Sequence, residues 1–216
     1  MQLAIVLVAA GASSRMGFPK LWADLDGQPL LAQALANARS VQPAELILVV
    51  SADRLTEAAR LAPDARTVPG GQRRRDSVAA GLAASTATWV AIHDAARALA
   101  PPELFQRGLD AALATGAAVP GLPLKDTIKR VANSRVIGTP VRAEHVAVQT
   151  PQVFQRDLLL RALALTDDDV TDEAILVERL GTSVAVFPGD ERAFKITTRL
   201  DLALARAIFS DGRHLS

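Results

Sequence analysis

Three short segments of this 216-residue chain carry residue types and spacings suited to anion chemistry. The first is AAGASSRMGFPK, from Ala9 to Lys20, in which small residues surround Arg15 and Lys20. Small side chains let backbone N–H groups approach an anion, and the two cations neutralise charge around it. It is neither common phosphate loop. Gly17 is followed by Phe18 and Pro19 rather than Lys-Ser/Thr, and Gly11 and Gly17 do not make a Gly-x-Gly-x-x-Gly fingerprint. The second segment is GGQRRRDSV, from Gly70 to Val78. Its glycine pair exposes backbone groups able to read a base edge, and Ser77 offers a hydroxyl a turn later. A tight turn with three solvated arginines is the plain alternative. The third is HDAAR, where Asp94 is placed to hold Mg2+ against a triphosphate or to cap the next turn. His93 has no nucleophile to pair with and reads as a packed side chain. Lys125, Lys129, Arg142 and Lys195 are later cations whose meaning depends on whether the fold returns them to one place.

The elements that must position these groups alternate. Leu3–Ala9 is a continuous aliphatic run, as in a strand buried on both faces of a parallel sheet. Further strands are expected at Leu46–Val50, Ala65–Val68, Trp89–His93, Ala117–Pro120 and 183–187. Helical spacing lies between them, at Pro29–Ser40, Asp53–Leu61, about Arg73–Ser85, Pro101–Ala114, 155–165, 171–180 and 199–210. This predicts a Rossmann-like three-layer α/β fold, with a mainly parallel sheet and helices on both faces. In such sheets ligands sit beyond the carboxyl ends of the strands, where all three segments fall. The rhythm breaks at about 124–148, where DTIKRV and SRVIGTPV flank Asn133–Ser134 and predict a projecting β-hairpin arm.

Composition sets outer bounds. With 50% hydrophobic and 22% charged residues the chain is globular, and 1–216 is expected to be one domain. The net charge of +1 gives no bulk electrostatic case for nucleic acid or an anionic membrane. Cysteine is absent, which excludes disulfides and thiolate catalysis. The apolar start is far shorter than the roughly 20 residues of a membrane span and has no basic segment before it. A cytoplasmic protein is the expectation.

Taken together, AAGASSRMGFPK, GGQRRRDSV, HDAAR, PLKDTIKR, VQTPQVF, TDEA and FKITTRLDLALA resemble the 2-C-methyl-D-erythritol 4-phosphate cytidylyltransferase family, of the nucleotide-diphospho-sugar transferase fold. They occur in the family's order from residue 9 to about 205. The resemblance implies transfer of CMP from CTP to 2-C-methyl-D-erythritol 4-phosphate, releasing pyrophosphate, with Mg2+ as cofactor. It implies that Arg15 and Lys20 stabilise charge on the α-phosphate. Ala9, Ala10, Gly11, Gly71, Ser77 and Asp94 are implied as CTP contacts, with Asp94 also facing the metal. Arg142 and Lys195 are implied to hold the acceptor, with Thr150 beside them. A homodimer is implied, the arm reaching the other subunit's site, so that Arg142 acts in trans or in cis.

The chain departs from the family pattern at Val8, Leu21, Gln72 and Ala98. Gln72 stands where an acidic residue is common, so no side-chain contact to cytidine is assigned there. No fused cyclase domain is expected. Two rivals remain: a ribitol-5-phosphate cytidylyltransferase, and a non-catalytic nucleotide-binding module that would bind CTP without releasing pyrophosphate.

Overall fold

A computed structural model describes residues 1–11 and 18–214, with side chains described to residue 210. In chain order the strands are β1 (Leu3–Val8), β2 (Asp24–Leu25), β3 (Gln28–Pro29), β4 (Glu45–Val50), β5 (Arg66–Pro69), β6 (Trp89–Asp94), β7 (Ala117–Pro123), β8 (Arg130–Ala132), β9 (Arg135–Gly138), β10 (Val146–Val148), β11 (Gln152–Gln155) and β12 (Ala185–Pro188). The α-helices are α1 (Leu30–Ser40), α2 (Leu55–Leu61), α3 (Arg74–Ala83), α4 (Glu103–Ala112), α5 (Arg156–Leu165), α6 (Ala174–Arg179) and α7 (Arg199–His214).

The main sheet runs β10-β7-β11-β6-β1-β4-β5, with β12 also paired to β7. The half made of β6, β1, β4 and β5 is parallel throughout, with Val8 level with both Val49 and Asp94. On the other side β11 lies antiparallel between β6 and β7, and β10 is antiparallel to β7. The sheet is therefore mixed, though the β6-β1-β4-β5 half keeps the expected parallel order.

Strand alternation explains why the helices cover both faces. Leu3, Ile5 and Leu7 of β1 pack with Leu31 and Leu35 of α1, Leu104 and Phe105 of α4, and Leu202 of α7. Ala4 and Val6 point the other way, into a second core with Val78 and Leu82 of α3, Leu158 of α5 and Leu176 of α6. A strand buried on both faces has no polar face to show, hence the unbroken aliphatic run. The helices supply matching stripes; in α4 the buried residues are Leu104, Phe105, Gly108, Leu109 and Ala112.

The arm is shorter than the sequence suggests. β8 and β9 form a separate two-stranded sheet with Asn133 and Ser134 at positive φ in its turn. Val146–Val148, placed within the arm by sequence, instead joins the edge of the main sheet as β10. Val131, Val136 and Ile137 on the hairpin are 60%, 61% and 57% exposed.

Candidate active site

The carboxyl ends of β1, β4, β5 and β6 are laced together by backbone. Ala9 N–H donates to the Val49 carbonyl at 2.7 Å, Gly70 N–H to Val50 at 2.7 Å, and Ala95 N–H to Val8 at 3.1 Å. Ala9, Ala10 and Gly11 thus leave β1 beside the Gly70–Gly71 turn. A side chain at Gly70 would put its Cβ 2.5 Å from the Ala10 Cβ and 2.7 Å from the Ser77 Oγ. Only glycine allows that close approach. A Cβ at Gly71 would run into the Cβ of Asp76. Ser77 is buried, and its hydroxyl accepts from Gly71 N–H at 3.2 Å. It therefore holds the turn in place rather than standing open as a hydroxyl. The Asp76 carboxylate accepts from Arg73 N–H at 3.1 Å and closes the first turn of α3.

Asp94 ends β6 at the middle of this edge. Its backbone N–H donates to the Thr150 hydroxyl oxygen at 3.0 Å, and that oxygen lies 3.0 Å from Nδ1 of His93. The Thr150 hydroxyl therefore ties the Asp94 backbone to the His93 ring. Burial pushes His93 down to about 4, so the ring is neutral, and it packs edge-on against Phe105. Thr150, expected beside the acceptor, is buried against Asp94 and braces it.

Two cations meet the Asp94 carboxylate. Nε of Arg74 is 3.1 Å from one oxygen and Nζ of Lys195 is 2.7 Å from the other. Burial alone would raise the Asp94 pKa; the charges of Arg74 and Lys195 outweigh it and hold the group well below the usual carboxylate range. Lys195 lies 101 residues away in sequence. Its segment is pinned by Ile196 N–H to the Ala96 carbonyl at 2.9 Å and by Arg97 Nη1 to the Ala193 carbonyl at 2.6 Å.

The three consecutive arginines are all engaged by acidic side chains or carbonyls. Arg73 pairs with Asp76 and Asp167 at 2.7 and 2.8 Å. Arg75 is buried and donates to the carbonyls of Thr166, Asp168 and Leu163. Arg74 gives Nη1 to both oxygens of Glu173, at 2.6 and 2.7 Å. Arg74 and Glu173 lie in the GGQRRRDSV and TDEA segments but are given no role in the sequence reading. In a run of three arginines nothing marks the one that turns inward, and nothing in TDEA marks a carboxylate that is buried.

Lys20 opens a short 3-10 turn, Lys20–Trp22, directly after Pro19. Arg15 lies outside the described residues. Arg142 is exposed at the foot of the arm, with Nη1 donating to the Lys125 carbonyl at 2.7 Å. Among the described contacts of its own chain, none joins its guanidinium to Asp94 or Lys195.

Among the described residues no group of three or more His, Asp or Glu side chains is placed to hold a metal. One carboxylate, Asp94, stands at the edge. That donor set fits a hard cation shared with phosphate oxygens of a nucleotide, the usual mode for Mg2+, and does not fit an all-protein cage.

A glycine-shaped turn, a buried carboxylate and converging cations at the carboxyl edge of a Rossmann-like sheet suit a site for a phosphorylated nucleotide. The family model for 2-C-methyl-D-erythritol 4-phosphate cytidylyltransferase matches residues 3–211, and the chain belongs to that family. It is similar to the 2-C-methyl-D-erythritol 4-phosphate cytidylyltransferases of Rhodococcus jostii, 45% identical over 95% of this chain and 94% of that one, and of Rhodococcus opacus, 46% identical over the same shares. Among solved structures, the enzyme of that name from Thermus thermophilus superposes with a TM-score of 0.82 at 35% identity, covering 95% of this chain and 98% of that one. The 4-diphosphocytidyl-2C-methyl-D-erythritol synthase of Anaerococcus prevotii superposes at 0.87 with 27% identity, covering 97% and 98%.

Proposed function

We infer that CTP and its acceptor meet at this edge and that the chain works there as its family does. It transfers CMP from CTP to 2-C-methyl-D-erythritol 4-phosphate, forming 4-diphosphocytidyl-2-C-methyl-D-erythritol and pyrophosphate. The observation that carries the assignment of the site is the meeting of Asp94 and Lys195 beside the Gly70–Gly71 turn.

A phosphate oxygen of the acceptor attacks the α-phosphorus of CTP. The new P–O bond forms as the bond from that phosphorus to the bridging oxygen of the β-phosphate breaks, and pyrophosphate leaves with the electron pair. The attacking oxygen is already anionic, so no general base is required. The obstacle is repulsion between anions and charge gathering at phosphorus, which preorganised cations relieve. Lys20 and Arg15 flank the α-phosphate. Lys195 meets the acceptor phosphate, exchanging part of its contact with Asp94. Ala9, Ala10, Gly11 and Gly71 present backbone groups to the nucleotide, with Ser77 holding Gly71 in position. Thr150 supports Asp94 from beneath. Bound Mg2+, held by Asp94 and phosphate oxygens, would add neutralising charge at the triphosphate.

The protein works as a homodimer. The hairpin leaves Val131, Val136 and Ile137 exposed, and a two-stranded hairpin alone is marginal in water. Covering it with a second copy supplies the missing packing and delivers Arg142 to the neighbouring site. Residues 1–216 act as one cytidylyltransferase unit. No helix among the described residues is long and apolar enough to cross a membrane, and a cytoplasmic setting suits the substrates.

Phosphorus NMR of a mixture with CTP, Mg2+ and methylerythritol phosphate tests the reaction directly. A new diphosphate diester appearing with pyrophosphate is the expected result. Unchanged CTP in the presence of folded, CTP-binding protein would overturn it in favour of a non-catalytic module.

A further inference from the structure

Glu173 is the most deeply buried carboxylate among the described residues, with a relative exposure of 0%. Two ordinary explanations for it fail. It does not cap α6: the amide of Ile175 is taken by the Asp172 carboxylate at 3.2 Å, and Glu173 makes no side-chain cap bond. Stability is a weak reason as well. A buried ion pair costs so much desolvation that well-packed apolar residues usually serve as well or better. Both Glu173 oxygens are instead directed at one atom, Nη1 of Arg74, while Nε of the same guanidinium serves Asp94.

The result is a line of alternating charge, Glu173, Arg74, Asp94, Lys195, with contacts of 2.6, 3.1 and 2.7 Å. It crosses four parts of the fold: the start of α6, the start of α3, the end of β6 and the segment before α7. Only its outer end, Lys195, has a substantially exposed side chain, at 39%. With Glu173 in place, the Arg74 charge is shared between two carboxylates, so Asp94 retains negative charge with which to hold Lys195. Without it, Arg74 would turn fully onto Asp94 and weaken that hold.

We propose that Glu173 is a positioning residue for the transfer reaction, acting through Arg74 and Asp94 to set the location of Lys195. It touches neither substrate. The proposal rests on the cytidylyltransferase function, and its test separates the two. Wild type, Glu173→Gln, Lys195→Gln and the double variant are assayed for pyrophosphate release with CTP, Mg2+ and methylerythritol phosphate, each after a melting curve. Silence in the wild type would overturn the function itself. With an active wild type, Glu173→Gln is expected to lower kcat/KM about tenfold, the scale of coupling within one ion-pair network. In the background of Lys195→Gln the same substitution is expected to change little. Effects that multiply independently would make Glu173 merely structural and sink the proposal, as would an unimpaired single variant. If Glu173→Gln does not fold, the pair is replaced together by Arg74→Met and Glu173→Met, which leaves no buried charge unmatched, and the cycle with Lys195→Gln is repeated. A folded Met pair with wild-type kcat/KM would equally contradict the proposal.

Discussion

Asp94 balances two cations, one at each carboxylate oxygen, and in the proposed mechanism an incoming phosphate competes with it for Lys195. That competition needs a second, independently anchored cation at the α-phosphate, the role given to Lys20. Lys20 stands at the first position of the 3-10 turn after Pro19, where the fixed ring restricts the chain entering the turn. Removing one preorganised contact to developing charge typically costs about 10²–10³ in rate. Lys20→Ala is therefore expected to lose measurable turnover while its melting temperature stays near that of the wild type. Retention of more than about a tenth of wild-type kcat would contradict the role, on the same scale. Asp94 and Lys195 stand out in the sequence as residue types suited to phosphate chemistry, but their meeting is a product of the fold. Arg74 and Glu173 lie in segments that the sequence marks, GGQRRRDSV and TDEA, but within them burial alone separates the two from their charged neighbours. Ser77 and Thr150 are visible in sequence as hydroxyls near a site. In the fold both are buried and act as braces, Ser77 for Gly71 and Thr150 for Asp94.

At the scale of elements, the site depends on how closely α3 lies on the sheet. Gly81 makes that possible: a Cβ there would strike Cγ1 of Val6 and come within 3.0 Å of Cγ2 of Val49. Both partners are fully buried in β1 and β4, so neither has room to yield. Overpacking of this kind costs about 1–3 kcal/mol. Gly81→Ala is expected to lower the unfolding free energy by that amount in a urea titration, with an unchanged slope; an unaltered midpoint would mean the helix shifts freely. β1, β4 and β6 are legible because parallel strands buried on both faces carry long apolar runs. β11 is not. Its sequence, Gln152–Gln155, is short, has a Gln at each end, and follows Pro151, so it carries neither an aliphatic run nor a clean alternation. Only its antiparallel seat between β6 and β7 makes it a strand. For a similar reason β10 reads as part of the arm: Val146–Val148 is three exposed residues paired at a sheet edge.

The whole molecule shows a sheet with two covered faces and one hairpin whose apolar side chains face solvent within a single chain. The proposed homodimer of the 22.8 kDa chain would resolve that imbalance. It would also give Arg142 a role beyond the bond it makes to the Lys125 carbonyl within one subunit. If Arg142 serves the neighbouring site, Lys20→Ala and Arg142→Ala are each expected to be inactive alone. Mixed under conditions that exchange subunits, they are expected to regain activity, because one site of the heterodimer then holds both wild-type residues. A mass in solution equal to one chain, or no recovery on mixing, would contradict the arm's role.

The central claim is that this edge joins CTP to methylerythritol phosphate rather than only binding a nucleotide. The most direct measurement is pyrophosphate release with CTP and Mg2+, offering methylerythritol phosphate and ribitol 5-phosphate in parallel. Release with methylerythritol phosphate alone is the predicted result. Release with ribitol 5-phosphate alone would keep the chemistry and overturn the acceptor, and no release with either, from protein that binds CTP, would contradict the account.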